Sequence, residues 1–262
     1  MRRRWPPRPL SADPAAWPDG YARHVLAEVD STNSEAVRLA PGLTQPTWIM
    51  ARRQTAARGR RGRAWASADG NFAATLLMRP SGNAAQAALR SFIAALALAD
   101  TLALLCGPRV AVTLKWPNDV LLNGGKVAGI LLESTGQGGA VSHLIIGIGV
   151  NLVAAPPVEA VEPGAVTPVS VMGETGLRIT QDELLDYLAA AFARWEAQFT
   201  TYGFAPIRSA WLNRAARLGQ RIVARTVGET LEGTFETLAD DGALVLLTPT
   251  GRRAVPAADV FF

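Results

Sequence analysis

"KWPNDVLLNGGKVAGILLES", residues 115 to 134, decides the fold. From Asp119 it holds two apolar runs separated by Asn123-Gly124-Gly125, residues that tolerate positive φ at a tight turn. Such a pattern predicts a β-hairpin. Lys115 and Lys126 also lie here, and they are the only lysines among 26 basic residues. Two residues are compatible with chance. The alternative is that a compact ammonium is wanted where a planar guanidinium would not fit.

Outward from the hairpin, "VAVTLKW" (110–116), "TWIMA" (47–51) and "NFAATLLM" (71–78) read as strands. "HLIIGIGVNL" (143–152) reads as a strand apolar enough to be buried on both faces. Residues 84 to 106 predict one long, largely buried helix. "STNSEAVRLAP" (31–41) predicts a short helix capped by Thr32, with Glu35 completing a capping box and Pro41 ending it. Residues 153 to 178 read as an irregular loop. A second capping box, Thr180 to Glu183, opens an amphipathic helix whose stripe of Leu184, Leu188, Ala191, Trp195 and Phe199 belongs to the core. From about Leu218 the texture changes to "RIVARTV", "LEGTFETL", "ALVLLT" and "RRAVPA", with turns at Gly228, Asp241-Gly242 and Gly251. Such short segments, packed into about 45 residues, predict a small barrel.

The expected fold class is therefore α+β, in three parts: a loosely ordered Pro- and Arg-rich segment 1–20, a large domain 21–216, and a β module 217–262. With 262 residues, 49% of them hydrophobic, a sizeable core is within reach. Only 18% of residues are charged, which excludes a disordered chain. Cys106 is the single cysteine, so no internal disulfide or Cys-rich metal site can form. "MRRRWPPRPL" runs into prolines where a signal peptide would turn apolar. Asp100 interrupts the most apolar run, Ser91 to Cys106, which is short for a membrane span. A cytoplasmic protein with no membrane partner is expected.

"QTAARGRRGRAW" (54–65) places Arg58, Arg60, Arg61 and Arg63 within six residues. No Asp or Glu lies between Glu35 and Asp69 to neutralise them. Charges so close repel and resist compact order, which predicts a mobile loop over 57–64 awaiting an anion. Several common sites are excluded. The glycine that opens a P-loop is missing upstream of Lys126, and "GIGVNL" ends without the third glycine of a dinucleotide fingerprint. His24 and His143 are far apart, so neither a zinc site nor a Ser-His-Asp triad is supported.

Four pieces remain, in order: "STN" (31–33), "QTAARGRRGRAW", "KWPNDVLLNGGKVAGIL" (115–131) and "GIGVNL" (147–152). Together, and followed by a C-terminal β module, they resemble the biotin protein ligases from about Val25 onward. The resemblance implies a catalytic domain like that of class II aminoacyl-tRNA synthetases, a mixed sheet flanked by helices, and an SH3-like C-terminal barrel. It implies biotin, ATP and Mg²⁺ as reactants, and the biotin carboxyl carrier domain of a carboxylase as partner. The protein is expected to be a monomer or homodimer. About 25 residues precede the match, too few for a helix-turn-helix domain, so no specific DNA partner is expected.

By motif position, the resemblance gives Ser31, Thr32, Asn33 and Gln54 to the biotin head, with Thr32 also suited to capping. It gives Arg58, Gly59 and Arg60 to the biotin carboxylate and forming phosphate, and Arg63 to the ATP phosphates. Arg61 reads as solvent-exposed charge. Trp65 is assigned to adenine or to anchoring the loop. Lys126 falls to the carboxyl and α-phosphate, and Lys115 to pyrophosphate or a plain strand-end charge. Asn118 and Asp119 are placed near nucleotide and magnesium, Asn151 near the nucleotide, and Gly129 where substrate approaches the strand. Lys126, Arg60 and Asp119 form the expected catalytic set. Ala57 departs from the family's glycine, and costs ~1 kcal/mol if that position needs positive φ. Two other readings compete. A nucleic-acid binder would use the arginine run, but interleaved aromatics are lacking. A lipoate-attaching relative would carry an "SGGG" signature, which is missing.

Overall fold

The computed structural model describes residues 16–63, 65, 68–136 and 140–262, so most of the expected N-terminal segment lies outside the described residues. Seven strands build the main sheet: β1 (Ala22–Val29), β2 (Thr47–Gln54), β3 (Phe72–Met78), β4 (Val112–Lys115), β5 (Asp119–Leu122), β6 (Gly125–Thr135) and β7 (His143–Val150). Their order is β1-β2-β3-β7-β6-β5-β4. β1 and β2 run parallel and the other neighbours antiparallel. The expected hairpin is β5–β6, with Asn123 (φ 51°) and Gly124 (φ 86°) in the turn. Asn tolerates that region through its short polar side chain.

Alternation along the strands sends side chains to two cores. Ile49, Leu77 and Ile145 meet Ala36 and Ala40 beneath helix α1 (Thr32–Leu39). Trp48, Met50, Leu76 and Ile146 face the opposite layer. That layer holds α2 (Ala84–Ala88), α3 (Arg90–Cys106), α4 (Val171–Thr175), α5 (Gln181–Tyr202) and α6 (Phe204–Leu212). The expected helix 84–106 divides at Leu89, where Asn83 and Gln86 form a capping box on the first piece. The loop expected over 153–178 contains α4. Thr180 caps α5 by accepting from the Glu183 N–H, and Leu184, Leu188 and Ala191 are buried as the stripe required.

α1 departs from its expected cap. Ser31 stands at the N-cap with no side-chain cap bond. The Thr32 hydroxyl turns instead to Thr75 and Gln54. A deeper polar network has outcompeted the local one.

The C-terminal module is a five-stranded antiparallel sheet, β8 (Arg221–Arg225), β9 (Thr230–Leu238), β10 (Leu244–Thr248), β11 (Gly251–Val255) and β12 (Asp259–Phe261), in the order β11-β10-β9-β8-β12. Phe235 and Leu238 join the core shared with α3 and α6. The sheet is thereby seated against the main domain, and β12 reaches its cavity.

Candidate active site

A cavity of about 710 Å³ opens beside the main sheet. Every residue assigned from the motifs lines it: Ser31, Thr32, Asn33, Gln54, Arg58, Gly59, Arg60, Arg63, Trp65, Lys115, Asn118, Asp119, Lys126, Gly129 and Asn151. At one end sit the N-terminus of α1 and Gln54. The hairpin start and the arginine loop form the middle. Val260 and Phe261 of β12 close the far side, with an apolar segment that includes Val161 and Val166.

The two lysines converge on one carboxylate. Asp119, 8% exposed, faces Lys126 Nζ at 2.6 Å and Lys115 Nζ at 3.5 Å. Strand pairing explains this: Lys115 stands opposite Asp119 across β4–β5, and Lys126 lies on the neighbouring β6. Burial pulls the Lys115 ammonium below its ordinary value. Asp119 opposes that shift, and the charge of Lys126 adds to it. Arg60 stands nearby, its Nη1 3.4 Å from Asn118 Oδ1. Desolvation lowers its guanidinium pKa against the pull of Asp259.

Magnesium was expected near Asp119. Both Asp119 oxygens face lysines, and no group of three or more His, Cys, Asp or Glu able to hold a metal occurs among the described residues. The side chains do not fit a magnesium held by the protein, so no step below is routed through one.

The arginine loop is neutralised by carboxylates far away in sequence. Asp259 lies 2.6 Å from Arg61, 3.4 Å from Arg63 and 3.7 Å from Arg60. Glu162 pairs with Arg63 at 3.3 Å and Arg225 at 2.6 Å. Glu133 pairs with Arg58 at 3.1 Å, and the Arg58 Nη1 donates to Ser34 Oγ at 2.7 Å. The expectation of unpaired, mutually repelling charges is corrected: no carboxylate is near in sequence, and the partners lie on other elements. Arg61, read as solvent-exposed charge, is exposed and also pairs with Asp259. Arg58 is drawn toward Glu133 and away from the lysines' carboxylate.

Ala57 does not take positive φ, so the feared strain is absent there; Arg61 does, at φ 56°. The Ala57 carbonyl instead accepts the Trp65 N–H at 3.0 Å, closing the loop. Trp65 lies on two paired glycines of adjacent strands. A Cβ at Gly149 would come within 2.8 Å of its indole, and one at Gly129 within 3.1 Å. Asn151 is 1% exposed. Its Nδ2 donates to the Val169 carbonyl at 3.1 Å, while its Oδ1 has no hydrogen-bond partner among the described residues. Residues absent from the sequence reading also bound the site: Gly147 and Gly149, present in "GIGVNL", and Glu162 and Asp259, which carry no local signal.

Residues 26–151 match the biotin/lipoate A/B protein ligase family, and residues 218–262 match the biotin protein ligase C-terminal domain. A biotin–[acetyl-CoA-carboxylase] ligase of Paracoccus denitrificans is 61% identical over 91% of this chain and 99% of that protein. The bifunctional ligase/repressor BirA of Bacillus subtilis is 31% identical over 88% of this chain and 71% of its own length. The biotin protein ligase of Aquifex aeolicus, solved in complex with biotin and ATP, superposes with a TM-score of 0.76 at 26% identity, over 91% of this chain and 98% of that one. Four motifs gathered round one cavity, a matching C-terminal module and these relatives place the chain in the biotin protein ligase family.

Proposed function

We propose that this chain is an ATP-dependent ligase that makes biotinyl-5'-AMP from biotin and ATP, then passes biotin to a lysine of a carrier domain in a biotin-dependent carboxylase. Residues 21–216 would be the catalytic domain and 217–262 the SH3-like module, working in the cytoplasm where ATP is supplied. One observation carries the reading: the chain's two lysines and Arg60 meet around Asp119 in the cavity wall.

The first step sets an anion on an anion. An oxygen of the biotin carboxylate bonds to the α-phosphorus, the bond from that phosphorus to the β-phosphate bridging oxygen breaks, and pyrophosphate leaves. Cations fixed in place before the reaction lower that barrier most. Lys126, held by Asp119 and 31% exposed, is assigned to the reacting carboxylate and α-phosphate. Arg60 backs it, and Lys115 and Arg63 receive the departing pyrophosphate. The free Oδ1 of Asn151 suits the amino group of adenine, since a buried acceptor without a donor is costly. Trp65 offers a flat face to the adenylate. The neutral Ser31, Thr32 and Gln54 suit the ureido head, which is itself a neutral donor–acceptor group. In the second step a neutral carrier amine attacks the acyl carbon, AMP leaves with the bonding pair, and the new amide nitrogen loses a proton to water.

The test is to mix the protein with biotin, Mg-ATP and a carboxylase carrier domain. A mass gain of one biotin on the carrier, with pyrophosphate formed only when biotin and ATP are both present, is expected. Equal turnover with lipoate, or none with biotin, overturns the reading.

A further inference from the structure

Glu133 lies on β6 outside the cavity lining, as does Thr75 on β3. Both touch Asn33. The Glu133 carboxylate accepts from Asn33 Nδ2 at 2.6 Å, and the Thr75 hydroxyl meets Asn33 Oδ1 at 2.6 Å. Thr75 Oγ1 is 2.8 Å from Thr32 Oγ1, and the Thr32 N–H donates to Gln54 Oε1 at 2.7 Å. Asn33 and Thr32 are each 4% exposed and Thr75 0%. Five side chains thus form one relay, buried at Asn33, Thr75 and Thr32, from the partly exposed Glu133 to the wall of the cavity.

A carboxylate only accepts, and that fixes the relay's direction. Asn33 must turn its amide nitrogen to Glu133, so its oxygen faces Thr75. The single hydroxyl proton of Thr75 then goes to Asn33 Oδ1, which leaves a Thr75 lone pair toward Thr32, whose own hydroxyl proton has Thr75 or Gln54 Oε1, at 3.1 Å, as acceptor. Gln54, its oxygen already taken by the Thr32 N–H, presents its amide nitrogen as donor. Arg58 pairs with the same carboxylate at 3.1 Å. With a neutral amide in place of Glu133, Asn33 could turn over and the Asn33–Thr75 and Thr75–Thr32 bonds could reverse, whereas the bond from the Thr32 backbone N–H to Gln54 could not.

We propose that Glu133 is a positioning residue that fixes the donor and acceptor sense of Asn33 and, through Thr75, of Thr32 at the cavity wall, and so helps match the pocket to a ureido head with one carbonyl acceptor and two N–H donors. This rests on the biotin reading above. Lys126, Arg60, Lys115 and Arg63, assigned to the reacting carboxylate and ATP, form no ion pair with Glu133, and Thr75→Val leaves the Arg58–Glu133 pair intact, so a loss of biotin binding shared by both variants separates this role from a change at Arg58 and from general support of the fold.

Biotin-dependent ATP–pyrophosphate exchange in the full-length protein tests it. Glu133→Gln is expected to raise KM for biotin about tenfold, the effect of one well-made hydrogen bond lost or misdirected. It should leave kcat and KM for ATP within about twofold, because the reacting groups are untouched. Glu133→Asp, which keeps the acceptor, should recover part of the affinity. Thr75→Val breaks the relay at another member and should give the same split, with a double variant no worse than the poorer single. Glu133→Gln should also narrow the preference for biotin over 2-iminobiotin, whose imine replaces the carbonyl acceptor. An unchanged biotin KM, or equal losses in kcat and in both KM values, overturns the proposal. The side-chain amide resonances of Asn33 give a readout free of activity. One set in the wild type and a second set in Glu133→Gln are expected, and identical spectra refute the directional role. If wild-type protein shows no biotin-dependent exchange, the biotin reading fails while these spectra still judge the relay.

Discussion

Replacing Lys126 by alanine removes the ammonium 2.6 Å from Asp119 Oδ1. In the resting protein the cost is small. The lysine is 31% exposed, and a pair this open to solvent contributes up to about 1 kcal/mol. Asp119 keeps Lys115 at 3.5 Å as its partner. Lys115 loses a like-charged neighbour, so its depressed pKa should move back up. Stability should therefore fall by no more than about 2–4 °C in Tm. The proposed reacting state differs, because there the cation would follow charge from carboxylate to phosphate. Removing one such contact costs ~3–4 kcal/mol, roughly 10²–10³ in rate. Lys126→Arg keeps the charge but brings a wide, planar fork against Trp65, whose ring centre is 5.7 Å from Nζ, so impairment is expected there too. The assay is single-turnover adenylate formation, with carrier labelling from supplied biotinyl-adenylate measured separately. The second step should suffer less, since the new bond already exists. Adenylate formation at near wild-type rate in Lys126→Ala would refute the mechanism.

Three further outcomes are expected. Asp259→Asn removes the carboxylate facing Arg60, Arg61 and Arg63, and should speed amide exchange over residues 58–63 by about fivefold, as losing exposed pairs of up to about 1 kcal/mol implies; unchanged protection would show the loop is held otherwise. Gly149→Ala puts a methyl within 2.8 Å of the Trp65 indole and should lower nucleotide affinity in calorimetry, at a cost of about 1–3 kcal/mol for the displaced ring; wild-type affinity would mean that Trp65 moves freely. Burial, helped by Glu196, pushes the Tyr21 phenol from 10.0 up to about 12. The folded state then holds the proton longer than the unfolded one, so this group stabilises fully below pH 10 and loses its contribution as pH rises through 12. Tyr21→Phe should flatten that alkaline slope in denaturant melts, and an identical slope would refute the assignment.

Much of this architecture was legible because it is local. The hairpin follows from Asn123-Gly124-Gly125, and the Thr180 cap from its hydroxyl and the next turn. The cavity's lining was legible for another reason: its residues come in short motifs, which the fold brings to one place. What escaped depends on contacts distant in sequence. Nothing near Arg61 announces Asp259, which lies 198 residues away. Thr32 matches a capping rule locally, and only the placement of Thr75 on β3 shows where its hydroxyl goes. Glu133 reads as an ordinary strand residue until Asn33 and Arg58 meet on it.

The pairing of the arginine loop with β12 bears on how the protein is made. Residues 58 to 63 leave the ribosome about 200 residues before Asp259 does, and during that interval the loop lacks its chief counter-ion. A nascent chain stalled short of β12 carries every motif of the main domain and the partners of Arg58 and Arg63, Glu133 and Glu162, yet Arg60 and Arg61 then lack Asp259 and are open to a polyanion nearby, ribosomal RNA included. Arrival of β12 supplies their carboxylate and, in the same strand, the Val260 and Phe261 that line the cavity.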